Sequence, residues 1–256
     1  MTLIGAMRSM TGGILLYSDL EMISGAVKSE TQKIYRLRWP VNIPPNSSTE
    51  VKLSVDGIQI FIAGSNNSAI FAKARIEIEQ EIGHLVKHAI TNGEPVELEH
   101  GYVPIIESCL QRTAQTYIKT PSDEIGCILV VQFPLVTHAP ILYYANCAVG
   151  GSPLLQPIEF YVNDGIGYML GNYLSRRLYN QNMSGEQLIK VAAFILREAS
   201  ECVANVGAAA EMYLINEGWT NSTRILGPDA VKTYQQKLPS LTNVLLPELL
   251  ATDFAP

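Results

Sequence analysis

The sequence predicts an α+β fold, specifically a four-layer α-β-β-α sandwich in which two packed sheets lie between helices. Short apolar segments with strand character occur in groups along the chain, and longer segments with helical periodicity lie between these groups. A chain of 256 residues can bury a full core, and neither a repeat nor a low-complexity linker divides it. We therefore expect a single domain over residues 1–256, with a C-terminal tail, 221–256, left unassigned.

The N-terminal part of the chain is predicted to consist mainly of strands. Residues 2–16 contain two short strands around a turn at Thr11-Gly12-Gly13, and the second strand ends at Ser18-Asp19. Further strand-like segments follow at 23–27, 31–37 and 61–65. Strands this closely spaced favour a sheet that begins at Thr2.

Four longer segments have the apolar spacing of helices. In the first, Ile70, Ala74 and Ile78 recur every four residues and therefore share one helix face. Before the last, Ser184 and Gln187 form a capping box. The predicted helices span 65–90, 103–118, 165–179 and 188–203, and the later strands span 126–133, 141–147 and 210–215.

Charged residues are sparse in this chain. They make up 16% of it, against 47% apolar residues, and the net charge is −6. So low a charge density favours burial of surface against copies of the same chain, and hence a homo-oligomer. No run of Lys or Arg suits a nucleic-acid groove, so no nucleic-acid partner is expected. Neither a membrane-spanning segment nor a signal peptide is apparent, so we expect a cytoplasmic protein without a membrane partner.

The cysteines and histidines do not form a recognisable metal or disulfide pattern. The four cysteines are widely spaced without a Cys-x-x-Cys pair, so we interpret them as reduced core residues. His84 and His88 are four residues apart but lack the Glu of a zinc-binding helix motif, so we place them on a helix surface. We expect neither a metal nor a cofactor. The cysteines are Cys109, Cys127, Cys147 and Cys202.

Thr2 is the most informative residue of the chain. If Met1 is removed, Thr2 carries a free α-amino group and a hydroxyl, which places a nucleophile and a candidate general base on one residue. Taken alone, a threonine in this position is more simply a small residue after the initiator. The residues that follow it favour the catalytic interpretation.

The order of these residues resembles that of the proteasome β-subunits and their bacterial relatives, the proteasome-type branch of the N-terminal-nucleophile hydrolases. In that family a nucleophilic Thr opens the first strand, an Asp ends the second, a Ser/Thr-Gly turn follows and a Lys opens the next strand. Here these positions are Thr2, Asp19, Ser24-Gly25 and Lys33, and an apolar strand then ends in Ala63-Gly64. The resemblance continues into the C-terminal half, at 157–165 and 184–215.

The resemblance implies a role for each of these residues. Thr2 would be the nucleophile, and Lys33, paired with Asp19, would supply the positive charge that lowers the pKa of its amine. The backbone N–H of Gly64 would stabilise the oxyanion, and Ile62 would shape the pocket for the substrate side chain.

Two departures from the family pattern concern the surroundings of the amine. Asp164 stands where the family has a Ser, so we expect it to orient the amine. The family's Asp and second Ser fall near Val203 and Val206, which cannot transfer protons.

Three functions follow from the sequence. The first is an N-terminal-threonine peptidase in a homo-oligomeric, self-compartmentalised ring, which cleaves peptides or unfolded proteins with an unidentified ATPase unfoldase as a further partner. The second is an inactive scaffold subunit of the same fold. The third is a small-molecule amidohydrolase of the N-terminal-nucleophile class, which would function without rings.

Overall fold

The computed structural model describes residues 2–24, 27–39, 43, 44, 48, 58–93, 98–132, 139–215 and 223–238. Met1, Gly25 and residues 239–256 of the unassigned tail therefore lie outside the described residues. In the described part, strands and helices alternate in groups along the chain. No helix in this part is both long and apolar enough to cross a membrane.

The first sheet contains the N-terminal strand and places Thr2 at its rim. Its five antiparallel strands have the spatial order β10-β1-β2-β11-β12. They are β1 (Leu3–Arg8), β2 (Ile14–Asp19), β10 (Tyr161–Gly165), β11 (Ala210–Ile215) and β12 (Thr223–Leu226). In this register Ile4 lies between Ser18 and Asp164, so β1 is held on both sides.

The second sheet carries the Lys33 region at one edge. Its five antiparallel strands follow chain order, β5-β6-β7-β8-β9. They are β5 (Ile34–Arg36), β6 (Gln59–Gly64), β7 (Ile125–Gln132), β8 (Ile141–Cys147) and β9 (Gln156–Pro157). A separate hairpin, β3 (Glu21–Ser24) and β4 (Val27–Glu30), forms a two-stranded sheet of its own.

Five α-helices belong to the described residues. They are α1 (Ser68–Asn92), α2 (Leu98–Tyr117), α3 (Tyr168–Leu178), α4 (Gly185–Cys202) and α5 (Pro228–Lys237). A short 3₁₀ helix, Pro121–Asp123, precedes β7. α1 begins after Asn67, whose side chain accepts from the Ile70 N–H, and ends at Gly93 in the left-handed conformation. α4 begins with the predicted capping box of Ser184 and Gln187.

The apolar residues form three buried clusters. One joins the second sheet to α1 and α2, with Ile62, Ile78 and Ile106 among its members. Another joins the first sheet to α3, α4 and α5. The third lies between the faces of the two sheets and contains Ile4, Leu16 and Phe61. Strand side chains alternate between these clusters because successive residues point to opposite faces.

The four-layer α-β-β-α sandwich expected from the sequence was wrong as a description of this chain. The structure supports an α+β fold with two five-stranded antiparallel sheets and a separate hairpin. The prediction assumed that helices occur in pairs between strand groups. In fact α5 and β12 lie in the segment that had been left unassigned, and β3 and β4 join neither large sheet.

The smaller expectations have mixed outcomes. His84 and His88 are exposed on α1, as predicted. Cys109, Cys127 and Cys147 are buried, whereas Cys202 is exposed at the end of α4 and is not a core residue.

Candidate active site

Thr2 lies buried at the start of β1. Its carbonyl accepts a hydrogen bond from the Ile166 N–H at 2.8 Å. Gly165 lies opposite Leu3 with a φ of 93°, and a Cβ at Gly165 would overlap the Thr2 carbonyl. Only glycine therefore fits this position, and it allows β10 to approach Thr2 closely.

The side chains of Thr2, Asp19 and Lys33 lie in direct contact. The Thr2 hydroxyl donates to Asp19 Oδ1, and Lys33 Nζ donates to Thr2 Oγ1. Lys33 Nζ also lies 3.1 Å from Asp19 Oδ1. The structure thus brings together the three residues that the sequence analysis had selected from distant positions.

The Asp19 carboxylate is fully buried and saturated with hydrogen bonds. Besides Thr2 and Lys33, it accepts from the backbone N–H groups of Leu3 at 2.7 Å, Glu21 at 3.2 Å and Gly207 at 3.0 Å. Donors on both oxygens compensate for the loss of water around a buried charge. They also fix the orientation of the carboxylate beside Thr2.

The Lys33 ammonium is held in a buried position. Nζ donates to the Glu21 carbonyl at 2.6 Å as well as to Asp19 and Thr2, so its three hydrogens have acceptors. Burial lowers the pKa of Lys33, and the nearby Asp19 carboxylate opposes this shift. The site thus places a compact cation against the Thr2 hydroxyl.

Glu211 supports this cation and was missed by the sequence analysis. Its Oε1 accepts from the backbone N–H groups of Lys33 and Ile34, each at 3.1 Å. Glu211 belongs to β11 of the first sheet, so it ties the start of β5 in the second sheet to the neighbourhood of Thr2. Burial raises the pKa of Glu211, while the two backbone donors oppose the shift. The sequence feature that could have identified Glu211 is that it is the one charged residue in the buried strand 210–215.

Gly64 lies beside the site, but its N–H is engaged. That N–H donates to the Lys33 carbonyl at 3.2 Å, and the next N–H, of Ser65, donates to the Gly126 carbonyl at 3.0 Å. A Cβ at Gly64 would overlap the ring of Phe71, so packing alone requires glycine here. In the described conformation the Gly64 N–H, which was predicted to be the oxyanion donor, therefore forms a backbone hydrogen bond between the segment at β5 and β6.

Asp164 lies among different partners from those expected. Its Oδ2 accepts from the Ser65 hydroxyl at 2.5 Å, and Ser65 Oγ accepts from the Gly126 N–H at 3.1 Å. Burial raises the pKa of Tyr144, and the nearby negative charge of Asp164 raises it further. These contacts connect β10 of the first sheet to the loop that follows β6.

Ile62 and Val206 lie in the core, and Val203 lies partly buried beside it. Ile62 is fully buried in the cluster that joins the second sheet to α1 and α2. Val206 is buried in the cluster of the first sheet, and Val203 packs against the same cluster.

A cavity of about 400 Å³ opens beside Thr2 and Lys33. Its lining also includes the acidic residue Glu21 and the polar residues Thr31, Gln32, Asn66 and Ser68. The N-terminus of α1 lies at its wall, and the helix dipole adds positive potential there. The arrangement can hold a polar group next to a buried hydroxyl.

Comparison with known proteins identifies the fold. No protein-family model and no curated protein sequence matches the chain. Among solved structures, the Gly-1 mutant of Anbu from Hyphomicrobium sp. strain MC1 is similar, with a TM-score of 0.74, 10% identity and 100% coverage of both chains. Anbu from Yersinia bercovieri, described as an ancestral beta-subunit, gives a TM-score of 0.67 at 10% identity, with 99% of this chain and 98% of that chain covered.

These similarities correct the assignment made from the sequence. Membership of the proteasome β-subunit family, in its bacterial proteasome-type branch, was wrong as a specific assignment, because no family model matches and the similar structures are Anbu at low identity. At this identity only the fold is established. The chain has the proteasome-like fold of these Anbu structures.

Proposed function

We propose that this chain is an N-terminal-threonine peptidase. The observation that supports the proposal is the contact of Thr2, Asp19 and Lys33 beside a cavity. A hydroxyl held by an ammonium and a carboxylate, with space for a ligand, suits nucleophilic attack on an amide.

The proposed reaction begins with removal of Met1. The free Thr2 amine then accepts the proton of the Thr2 hydroxyl while Oγ1 attacks the substrate carbonyl, and Lys33 disfavours protonation of that amine before the attack. The protonated amine next donates its proton to the leaving amine, and the C–N bond breaks. Water hydrolyses the remaining ester, which returns the hydroxyl to Thr2 and releases the new carboxyl terminus.

The other assigned roles belong to the same proposal. Gly64 supplies an oxyanion donor once its N–H leaves the Lys33 carbonyl, and Asp164 orients the amine. Ile62 shapes the substrate pocket through the packing of β6. We further propose a single domain in homo-oligomeric rings that acts on peptides or unfolded proteins in the cytoplasm, with an ATPase partner yet to be identified.

A catalytically inactive scaffold is the second candidate function. Two observations favour it: Val206 is a buried apolar residue where the resemblance implies a polar one, and the Gly64 N–H is already bonded. Both functions use the same buried cluster, since a fully paired Asp19 also stabilises the fold.

Intact mass spectrometry distinguishes the two functions. The native protein is measured before and after treatment with a β-lactone that acylates N-terminal threonines, with Thr2→Ala as the matched control. For a peptidase we expect a mass without Met1 and one stoichiometric adduct that Thr2→Ala lacks. A mass that retains Met1, or no adduct on the processed protein, would contradict the peptidase and leave the scaffold.

A further inference from the structure

A second cavity, of about 470 Å³, lies along the edge of β5 that pairs with no strand of the described residues. β5 is the edge strand of the second sheet, and β12 is the edge strand of the first. The cavity is lined from both, by Arg36 on one side and Ile225 on the other. Gln32 and Tyr35 line this cavity and the cavity beside Thr2, so the two are adjacent.

Arginines dominate the charge of this second cavity. Arg36, Arg38 and Arg75 line it, against the single carboxylate of Glu79. Arg75 pairs with Glu79 at 2.9 Å, whereas Arg36 and Arg38 are exposed and their guanidinium groups form no ion pair with any described residue. A concentration of unpaired positive charge is unusual in a chain with a net charge of −6. It favours a ligand that carries carboxylates or similar anions.

The backbone of β5 offers hydrogen-bonding groups at the same place. The Leu37 N–H donates to the Ile60 carbonyl and the Gly64 N–H to the Lys33 carbonyl, so odd-numbered residues face β6. The backbone N–H and carbonyl groups of the even-numbered residues therefore point to the edge that no described strand covers. There Glu211 and Gln32 occupy the N–H and carbonyl of Ile34, whereas the N–H and carbonyl of Arg36 have no partner among the described residues.

We propose that an extended acidic peptide binds along this edge. Its backbone would pair with the N–H and carbonyl of Arg36, and its carboxylates would contact Arg36 and Arg38. The proposal rests on the peptidase function and names its substrate class. Lys33 and Arg36 are three residues apart, about 10 Å along a strand. The preferred substrates would therefore carry Glu or Asp three to four residues from the cleaved bond.

Binding is tested in the full chain with Thr2→Ala, which cannot turn the peptide over. A fluorescein-labelled ten-residue peptide with three Glu is compared by anisotropy with a peptide in which Gln replaces each Glu. We expect the Glu peptide to bind about tenfold more tightly, as for one or two charge-assisted hydrogen bonds. Arg36→Gln and Arg38→Gln should each remove most of that preference, and Arg36→Lys should keep part of it. Arg176→Gln, an exposed change on α3, is the matched control and should have no effect.

Several outcomes would overturn the proposal. Equal affinities for the Glu and Gln peptides would exclude carboxylate recognition, and an unchanged preference in Arg36→Gln would place it elsewhere. Complete displacement by low-millimolar inorganic phosphate would indicate a phosphate site. N-methylation of the peptide backbone opposite Arg36 should weaken binding, and the absence of an effect would exclude strand pairing. If the wild-type protein binds the Glu peptide more tightly than the Gln peptide but does not hydrolyse it, the proposed binding site is supported and the peptidase function is rejected.

Discussion

Substitution of Asp19 by Asn removes the charge at the centre of the candidate site with almost no change of shape. Oδ1 of Asp19 accepts from Thr2, Leu3 and Lys33, and Oδ2 accepts from two further backbone N–H groups. An amide keeps one acceptor oxygen and presents hydrogens on the other side. Whichever way it is turned, at least two buried donors lose their acceptor, and Lys33 loses its counter-charge.

The expected cost follows from these contacts. Two buried donors left without an acceptor cost about 1–3 kcal/mol each. A buried ion pair that loses one partner costs about 3–5 kcal/mol. The two figures overlap when the amide nitrogen replaces Oδ1, because Lys33 is then one of the donors that lose their acceptor and can release its proton. We therefore use the ion-pair figure alone and expect Asp19→Asn to lower the free energy of unfolding by about 3–5 kcal/mol. This loss is a large part of the roughly 5–15 kcal/mol typical of a domain.

The assay is urea unfolding at pH 7, followed by circular dichroism. Asp229→Asn is the matched control, since it makes the same chemical change at an exposed position in the first turn of α5 and should cost less than about 1 kcal/mol. Asp19→Asn combined with Lys33→Met should recover part of the loss, because the unpaired cation is gone. A loss below about 1 kcal/mol for Asp19→Asn, at unchanged denaturant slope, would refute the reasoning.

Four further predictions follow from the site and its surroundings. Thr2→Ala should abolish peptide hydrolysis in a fluorogenic assay but lower the free energy of unfolding by less than about 2 kcal/mol, because only one hydroxyl and one methyl group are lost. Lys33→Arg should also abolish hydrolysis, since a planar guanidinium cannot replace the compact ammonium between Asp19 and the Glu21 carbonyl; a rate near wild type would contradict this. Because the pKa of Glu211 is raised in the folded state, its contribution to stability is fully present below its ordinary pKa of 4.5 and is lost as pH rises through the raised pKa. The melting temperature of Glu211→Gln should therefore depend less on pH than that of the wild type. Gly165→Ala should lower the melting temperature more than Gly150→Ala, because both have positive φ but only the former would overlap another residue.

The parts of the fold that the sequence predicts well are those with strong local patterns. The apolar spacing over 65–90 predicted α1, whose start is shifted to Ser68 because Asn67 caps it. The strand 141–147 has the predicted bounds, and the capping box of α4 is present. Periodicity and capping act within a few residues, so a single sequence is enough to detect them.

Contacts between distant segments could not be predicted in the same way. Glu211 bonds a backbone group 178 residues away, and no local pattern indicates which N–H groups a buried carboxylate will accept from. The same holds for Asp164, whose partner Ser65 is 99 residues away, in the loop that follows β6 of the other sheet. Thr2, Asp19 and Lys33 were selected because their order matched a known arrangement. The arrangement of the sheets depends on such distant contacts, and local patterns indicated neither β12 and α5 in the segment left unassigned nor the separate hairpin of β3 and β4.

The choice between peptidase and scaffold depends on the nitrogen of Thr2 more than on any side chain. While Met1 is attached, that nitrogen belongs to a peptide bond and cannot accept a proton. Asp19 Oδ1 then accepts the hydrogen bond of this hydroxyl, but a carboxylate is a weak base toward a hydroxyl, and four other donors further stabilise its charge. Lys33, as an ammonium, is a donor only. The cluster as described therefore holds the hydroxyl as a donor to Asp19 and offers it no strong base, so we expect a free amine to be required before this site can act as an enzyme.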